Sequence, residues 1–225
     1  MTNFVYRQRS DMYVRPGTSD DLVVDEVVEY EALFLAAKPK CVMLDIGANI
    51  GSVSRVAGKY GLMVHAYEPD KDNFEMLIEN TADFNIYRKN VAVKSYNGMT
   101  KFYQPHTTNK GKCSTVSRES NKDNFEEVEC VSFMEELIEH RPTLVKIDIE
   151  GGEYDLDSYN LPSHIKGLAI EIHLINNDYK AMQGLYKTIK DQFGYVVNPA
   201  EDNLKWWHDN ISDNDGAQLF IFLRN

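Results

Sequence analysis

Short apolar runs separated by amphipathic stretches dominate this chain from Cys41 onward. Cys41–Ile46 has the length and continuity of a strand covered on both faces, Met63–Glu68, Leu144–Ile149, Leu168–Ile172 and Ala217–Leu223 also read as strands, and Ile86–Val93 is a short strand candidate. Lys101–Tyr103 is a shorter candidate. Between these runs, Ile50–Tyr60, Asp70–Ala82, Val131–His140 and Tyr179–Phe193 read as helices. In the last of them Met182, Leu185, Tyr186, Ile189 and Phe193 recur at helical spacing, the stripe a core-facing helix needs. Asp70 is placed to cap its helix, and Arg141-Pro142 stops the third. The first 20 residues read as an extended arm with a turn at Pro16-Gly17. Asp20 or Asp21 then caps a helix to about Ala37, which Pro39 ends. Strands separated by helices predict βαβ units and a mostly parallel sheet. Such sheets bind ligands beyond the carboxyl ends of their strands, where the strand order reverses.

With 225 residues the chain suits one α/β domain. We divide it into an arm and helix over residues 1–38, a candidate cover for a pocket, and a main domain over residues 39–225. A formal net charge of −11 disfavours nucleic acid as a partner, because phosphate backbones are bound by clustered Lys and Arg. The one basic stretch, Lys110 and Lys112 with Arg118 nearby, runs straight into Glu119, Asp123, Glu126 and Glu127, as a solvated loop would. No apolar run reaches the roughly 20 residues that span a bilayer. Cys41, Cys113 and Cys130 lack metal-ligand spacing, and the chain starts without a basic-then-apolar leader, so reduced thiols in a cytoplasm are expected.

The candidate chemistry gathers at three predicted strand ends. In Val42–Ser52 a strand ends in Asp45, and Gly47 and Gly51 clear side chains where the backbone turns or meets a ligand. A dinucleotide fingerprint asks for glycine at 47, 49 and 52, but 49 is Asn and 52 is Ser. The Gly-Lys-Ser/Thr of a P-loop is also missing. An aspartate at this place suits a ligand with an amino group, such as the methionine end of S-adenosylmethionine (SAM). Glu68, followed by Pro69, ends the next strand about 20 residues on, where an acid takes ribose hydroxyls in nucleotide-binding folds. The run Leu144–Glu153 delivers Asp148 and Glu150 to a third strand end, on one side by alternation, beside the turn at Gly151-Gly152. Glu171 and His173 close the strand after it. A purely structural turn and a structural histidine stand as the alternatives.

Together these segments resemble the FkbM family of SAM-dependent methyltransferases. The resemblance is carried by LDIGANIGSVS (Leu44–Ser54), YEPDKDNFEMLIEN (Tyr67–Asn80) and VKIDIEGGEYD (Val145–Asp155), with support from Arg15–Val27 and Glu171–His173. It implies a Rossmann-like class I fold, a seven-stranded, mostly parallel sheet flanked by helices, with one antiparallel edge strand. It implies that Asp45, Gly47, Ala48, Asn49 and Gly51 line the methionine and ribose end of SAM. Glu68 and Pro69 would hold the ribose, Asn90 and Val91 the adenine side, and Asp148 would lie near the sulfonium. The activity implied is O-methylation of a hydroxyl on a small molecule, carbohydrate or natural product. The arm would cover the pocket, and the loop around Lys110 would help to recognise the acceptor. For the acceptor's proton His173 is the expected base, with Asp148 and Glu150 beside it, although such carboxylates favour a protonated ring unless burial opposes them. A divalent cation on Asp148, Glu150 and Glu171 is a third route, while the expectation is a site without metal. A SAM-binding scaffold without catalysis and a nicotinamide oxidoreductase remain as rival readings. The acceptor's identity and the oligomeric state are left open.

Overall fold

A computed structural model describes residues 4–8, 10–105, 113–118, 120–156, 160–211 and 216–224. The arm forms a hairpin, β1 (Val5–Arg7) on β2 (Met12–Val14), and leads into helix α1 (Asp20–Glu26). Where the sequence predicts one helix to about Ala37, the chain tightens into a 3-10 helix over Val27–Ala36. The adjacent β-branched valines at 27 and 28, where it begins, disfavour a regular α-helix there.

The alternation follows as predicted: β3 (Val42–Ile46), α2 (Ser52–Lys59), β4 (Met63–Tyr67), α3 (Lys71–Asn80) and β5 (Ile86–Lys89). Asp70 caps α3, its Oδ1 accepting from the Asn73 N–H at 2.9 Å. The run predicted to continue to Val93 breaks after Lys89. The chain leaves the main sheet and forms a second one from β6 (Ala92–Lys94), β7 (Gly98–Tyr103) and β8 (Phe125–Ser132). β8 contains Glu126 and Glu127, the end of the acidic run that reads as a loop in the sequence; these glutamates sit on a solvated strand instead. Next come α4 (Phe133–His140), β9 (Leu144–Ile147), β10 (Gly167–His173), α5 (Tyr179–Lys190), β11 (Tyr195–Val197), α6 (Leu204–Asn210) and β12 (Ala217–Leu223).

The main sheet has seven strands in the order β11-β12-β10-β9-β3-β4-β5. Strands β10, β9, β3, β4 and β5 are mutually parallel, and β12 runs against both its neighbours. The antiparallel strand is therefore inside the sheet and not at its edge. β12 is apolar throughout Leu219–Leu223, with Phe220 and Phe222 fully buried, so it needs cover that a rim position cannot supply; short β11 takes the edge. One face of the sheet (Leu44, Ile46, Val145, Ile147, Leu168, Ile170) packs on α4, α5 and α6. There Trp207 fills the space beside Tyr186 and Phe220. The other face (Met43, Val64, Leu144, Ala169, Ile221) packs on the 3-10 helix and α2. From β3 the chain builds outward to β5, and from β9 toward the opposite edge, so the strand order reverses between β3 and β9. Among the described residues no helix is long and apolar enough to cross a membrane, and the three cysteines are free thiols.

Candidate functional site

At the reversal, the turn after β3 lies directly on the turn after β9. Gly47 has φ +77°, and a Cβ there would come 1.8 Å from the carbonyl oxygen of Asp148. Only glycine allows that approach. The N–H groups of Gly47 and Ala48 both donate to the Tyr67 carbonyl, at 3.0 and 2.9 Å, tying the turn to β4. Gly51, at φ +92°, ends the turn and opens α2. The Glu68 side chain accepts from the Asn49 N–H (2.8 Å) and from the Asp70 N–H (2.9 Å). Glu68 is buried; the loss of solvent, with the charge of Asp70 beside it, pushes its pKa up to about 7. The Asn90 amide donates to the carbonyls of Glu68 (2.8 Å) and Pro69 (3.0 Å), so it braces this corner.

Two cavities open at the carboxyl ends of these strands. The first is lined by Gly47, Asn49, Glu68, Pro69, Val91 and Asp148, with Val93, Phe102 and Cys113 as an apolar wall. The second, larger one is lined by Ala48, Asn49, Lys146, Asp148, Glu150, Glu171 and His173, and on its outer side by Ser19, Leu22, Val23, Glu26 and Tyr30. Asn49, Asp148 and Glu150 belong to both walls and mark where the cavities meet. Asn49 (φ +51°) and Glu150 (φ +56°) hold left-handed backbone conformations that cost energy for residues with a side chain, as is common at ligand sites.

Three expected contacts are placed differently. Asp45 lines neither cavity: it has no exposed surface, and its carboxylate accepts from the Ser54 hydroxyl at 2.6 Å. Gly51 and Asn90 also stay outside both walls, as turn former and brace. A residue that the motif reading passes over takes the place between the two turns. The buried Lys146 ammonium donates to the Gly47 carbonyl at 2.6 Å and lies 3.6 Å from Asp45 Oδ1 and 3.4 Å from Asp148 Oδ2. Burial pulls its pKa down, but Asp148 and Asp45 outweigh that and hold it above the usual lysine value. The signal was a lysine inside an otherwise apolar parallel strand.

Glu153 is the second residue missed. Fully buried, it accepts from the N–H groups of Ile149 (3.1 Å) and Gly151 (3.3 Å), and its Oε1 lies 3.0 Å from His173 Nδ1. His173 Nε2 faces Glu150 Oε2 at 3.4 Å. Burial alone would lower the His173 pKa; Glu153 and Glu150 outweigh it and hold the ring well above the ordinary value. Both ring nitrogens thus meet carboxylates, and His173 is only 3% exposed. The loop at Lys110 and Lys112 lies outside the described residues. Arg118 reaches the Glu150 backbone carbonyl at 3.2 Å.

A family model described as the methyltransferase FkbM domain matches residues 45–197. No curated protein sequence matches. Among solved structures, the fold is shared with a SAM-dependent methyltransferase from Agrobacterium tumefaciens, at 14% identity and a TM-score of 0.50. That match covers 89% of this chain, which spans 62% of the other. The C-terminal domain of precorrin-6Y C5,15-methyltransferase from Rhodobacter capsulatus matches with 13% identity and a TM-score of 0.51, covering 100% of both chains. At these identities the likeness is one of fold.

Proposed function

Since this chain belongs to the FkbM methyltransferase family, whose cofactor is SAM, we propose that it transfers the methyl group of SAM to a hydroxyl of a small-molecule or carbohydrate acceptor. SAM supplies a methyl already activated on a cationic sulfur, so the protein's task is alignment and proton handling. The observation that carries the reading is the pair of cavities meeting at Asn49, Asp148 and Glu150.

We assign the first cavity to the cofactor. Gly47 lets the turn after β3 close onto the Asp148 backbone at its wall, and a buried carboxylate, Glu68, stands where ribose hydroxyls can donate to it. Val91, Val93 and Phe102 offer an apolar wall to the adenine, and the Asn49–Asp148 junction takes the sulfonium end. Asp45 acts from behind, through Lys146, by fixing the turn. The second cavity takes the acceptor. The arm helix covers it through Leu22, Val23 and Tyr30, which keeps water from the transfer point. Glu150 opens to both cavities, whereas His173 is enclosed; we therefore give Glu150 the acceptor's proton and His173, with Glu153 behind it, the work of orienting Glu150. The net charge and the acidic wall argue against a polyphosphate acceptor. The free thiols suit a cytoplasmic setting.

Turnover of labelled SAM against a panel of polyols, sugars and phenolic acceptors tests this. The expected result is an O-methyl product, with Glu150→Gln lowering transfer by about 10²–10⁴-fold, the range of general-base catalysis. Methylation confined to RNA or to protein side chains would refute the acceptor class. Full activity of Glu150→Gln would remove it as the base.

A further inference from the structure

Glu153, His173, Glu150 and Asp148 form more than an acidic patch. One ligand-type atom from each of Asp148, Glu150 and His173 lies within 4.8 Å of the others. From the sequence the third partner would be Glu171; in the fold His173 closes the set. Its ring is not free to turn, because the buried Glu153 carboxylate, fixed by two backbone N–H groups, holds Nδ1 and points Nε2 at Glu150. A carboxylate behind an imidazole whose other nitrogen faces further carboxylates is the arrangement that orients histidine toward a metal ion.

We propose that Asp148, Glu150 and His173 bind one divalent cation of the manganese type at the floor of the larger cavity. An oxygen-rich set with a single imidazole suits such an ion better than a soft one. The charge balance points the same way. Lys146 answers Asp148 and Arg118 stands 3.8 Å from Glu150 Oε2, yet the surroundings still feel surplus negative charge. Across the cavity, burial and then Glu29, Asp148 and Glu150 raise Glu26. The proposal deepens the reading of this cavity as the acceptor site and rests on it: the ion would hold the acceptor oxygen, and the second oxygen of Glu150 stays available to its proton.

The test is titration of the full chain with manganese(II) chloride, followed by electron paramagnetic resonance of the free ion, beside calorimetry with SAM. We expect one ion per chain. Glu150→Gln, a half-buried position that tolerates the change sterically, should weaken it at least about tenfold, and Glu153→Gln by roughly 10–100-fold as an outer partner. Circular dichroism checks that each variant is folded. Saturable binding lost in folded Glu150→Gln supports the site even if SAM fails to bind, in which case the methyltransferase reading falls instead. No binding up to about 1 mM, the weak end of oxygen-ligand sites, in protein that binds SAM overturns the cation and leaves the methyltransferase reading standing. Binding unchanged in both folded variants also overturns it.

Discussion

Glu68 concentrates the account at the scale of the residue. Hydrogen bonds to a charged group contribute about 1.5–3 kcal/mol, so Glu68→Ala should weaken SAM binding by roughly 10–150-fold at about 1.4 kcal/mol per tenfold. A loss below about twofold in a folded variant would take Glu68 out of the site. Its raised pKa, about 7, adds a pH signature. Only the ionised carboxylate accepts both ribose hydroxyls, so SAM affinity should fall as pH drops through about 7, and Glu68→Gln should flatten that slope. The effect on folding has the opposite sign. The folded protein keeps this proton to about 7 while the unfolded chain releases it in the ordinary carboxylate range, so the ligand-free protein loses stability as pH rises across that window. The place of Glu68 at a strand end beside the glycine turn was legible from spacing alone, because the distance reflects one helix and one strand. Asp45, from the same motif, lies behind the turn and not on the wall of either cavity. A strand-end acid announces chemistry, but nothing in the linear sequence tells that Ser54 and a lysine one strand away, in space and not in sequence, already engage it.

At the scale of elements, Lys146 ties β9 to the turn that follows β3. It is the sole cation within 4 Å of Asp45 among the described residues' ion pairs, and it also answers Asp148. Breaking a buried pair strands its partners and costs about 3–5 kcal/mol. Lys146→Met should therefore lower unfolding free energy by about that much and weaken SAM binding, as followed by urea denaturation and calorimetry. A loss under about 1 kcal/mol with SAM affinity intact would make Lys146 incidental. The β3–α2–β4–α3–β5 alternation was legible because parallel strands covered on both faces are uninterrupted apolar runs. The elements that escaped lack that signature. β8 carries Glu126, Glu127 and Glu129 on a solvated edge and alternates too weakly, while α6 is short and shows its purpose only once Trp207 meets Tyr186 and Phe220. The interior position of β12 depends on β11, three residues that no pattern marks.

For the whole molecule, the two cavities and the cover over one of them are consequences of topology. β3 and β9 part at the strand-order reversal, the second sheet supplies the apolar wall of the smaller cavity, and the arm crosses the larger one. The arm is anchored by the buried pair Arg15–Asp20, with Arg15 also donating to Asn73 on α3 at 2.6 Å, so the cover and the helix after Glu68 are coupled. Motif order reveals the sheet's carboxyl end, but the division of that end into two cavities comes from packing between segments far apart in sequence. The central claim is that the smaller cavity, lined by Glu68, Asn49 and Asp148, is built for SAM. Isothermal titration calorimetry with SAM, its demethylated product and NAD addresses it most directly. The account predicts one site per chain for SAM and for the product and no measurable heat of binding for NAD; NAD binding as tightly as SAM, or no binding of SAM at all, would contradict it.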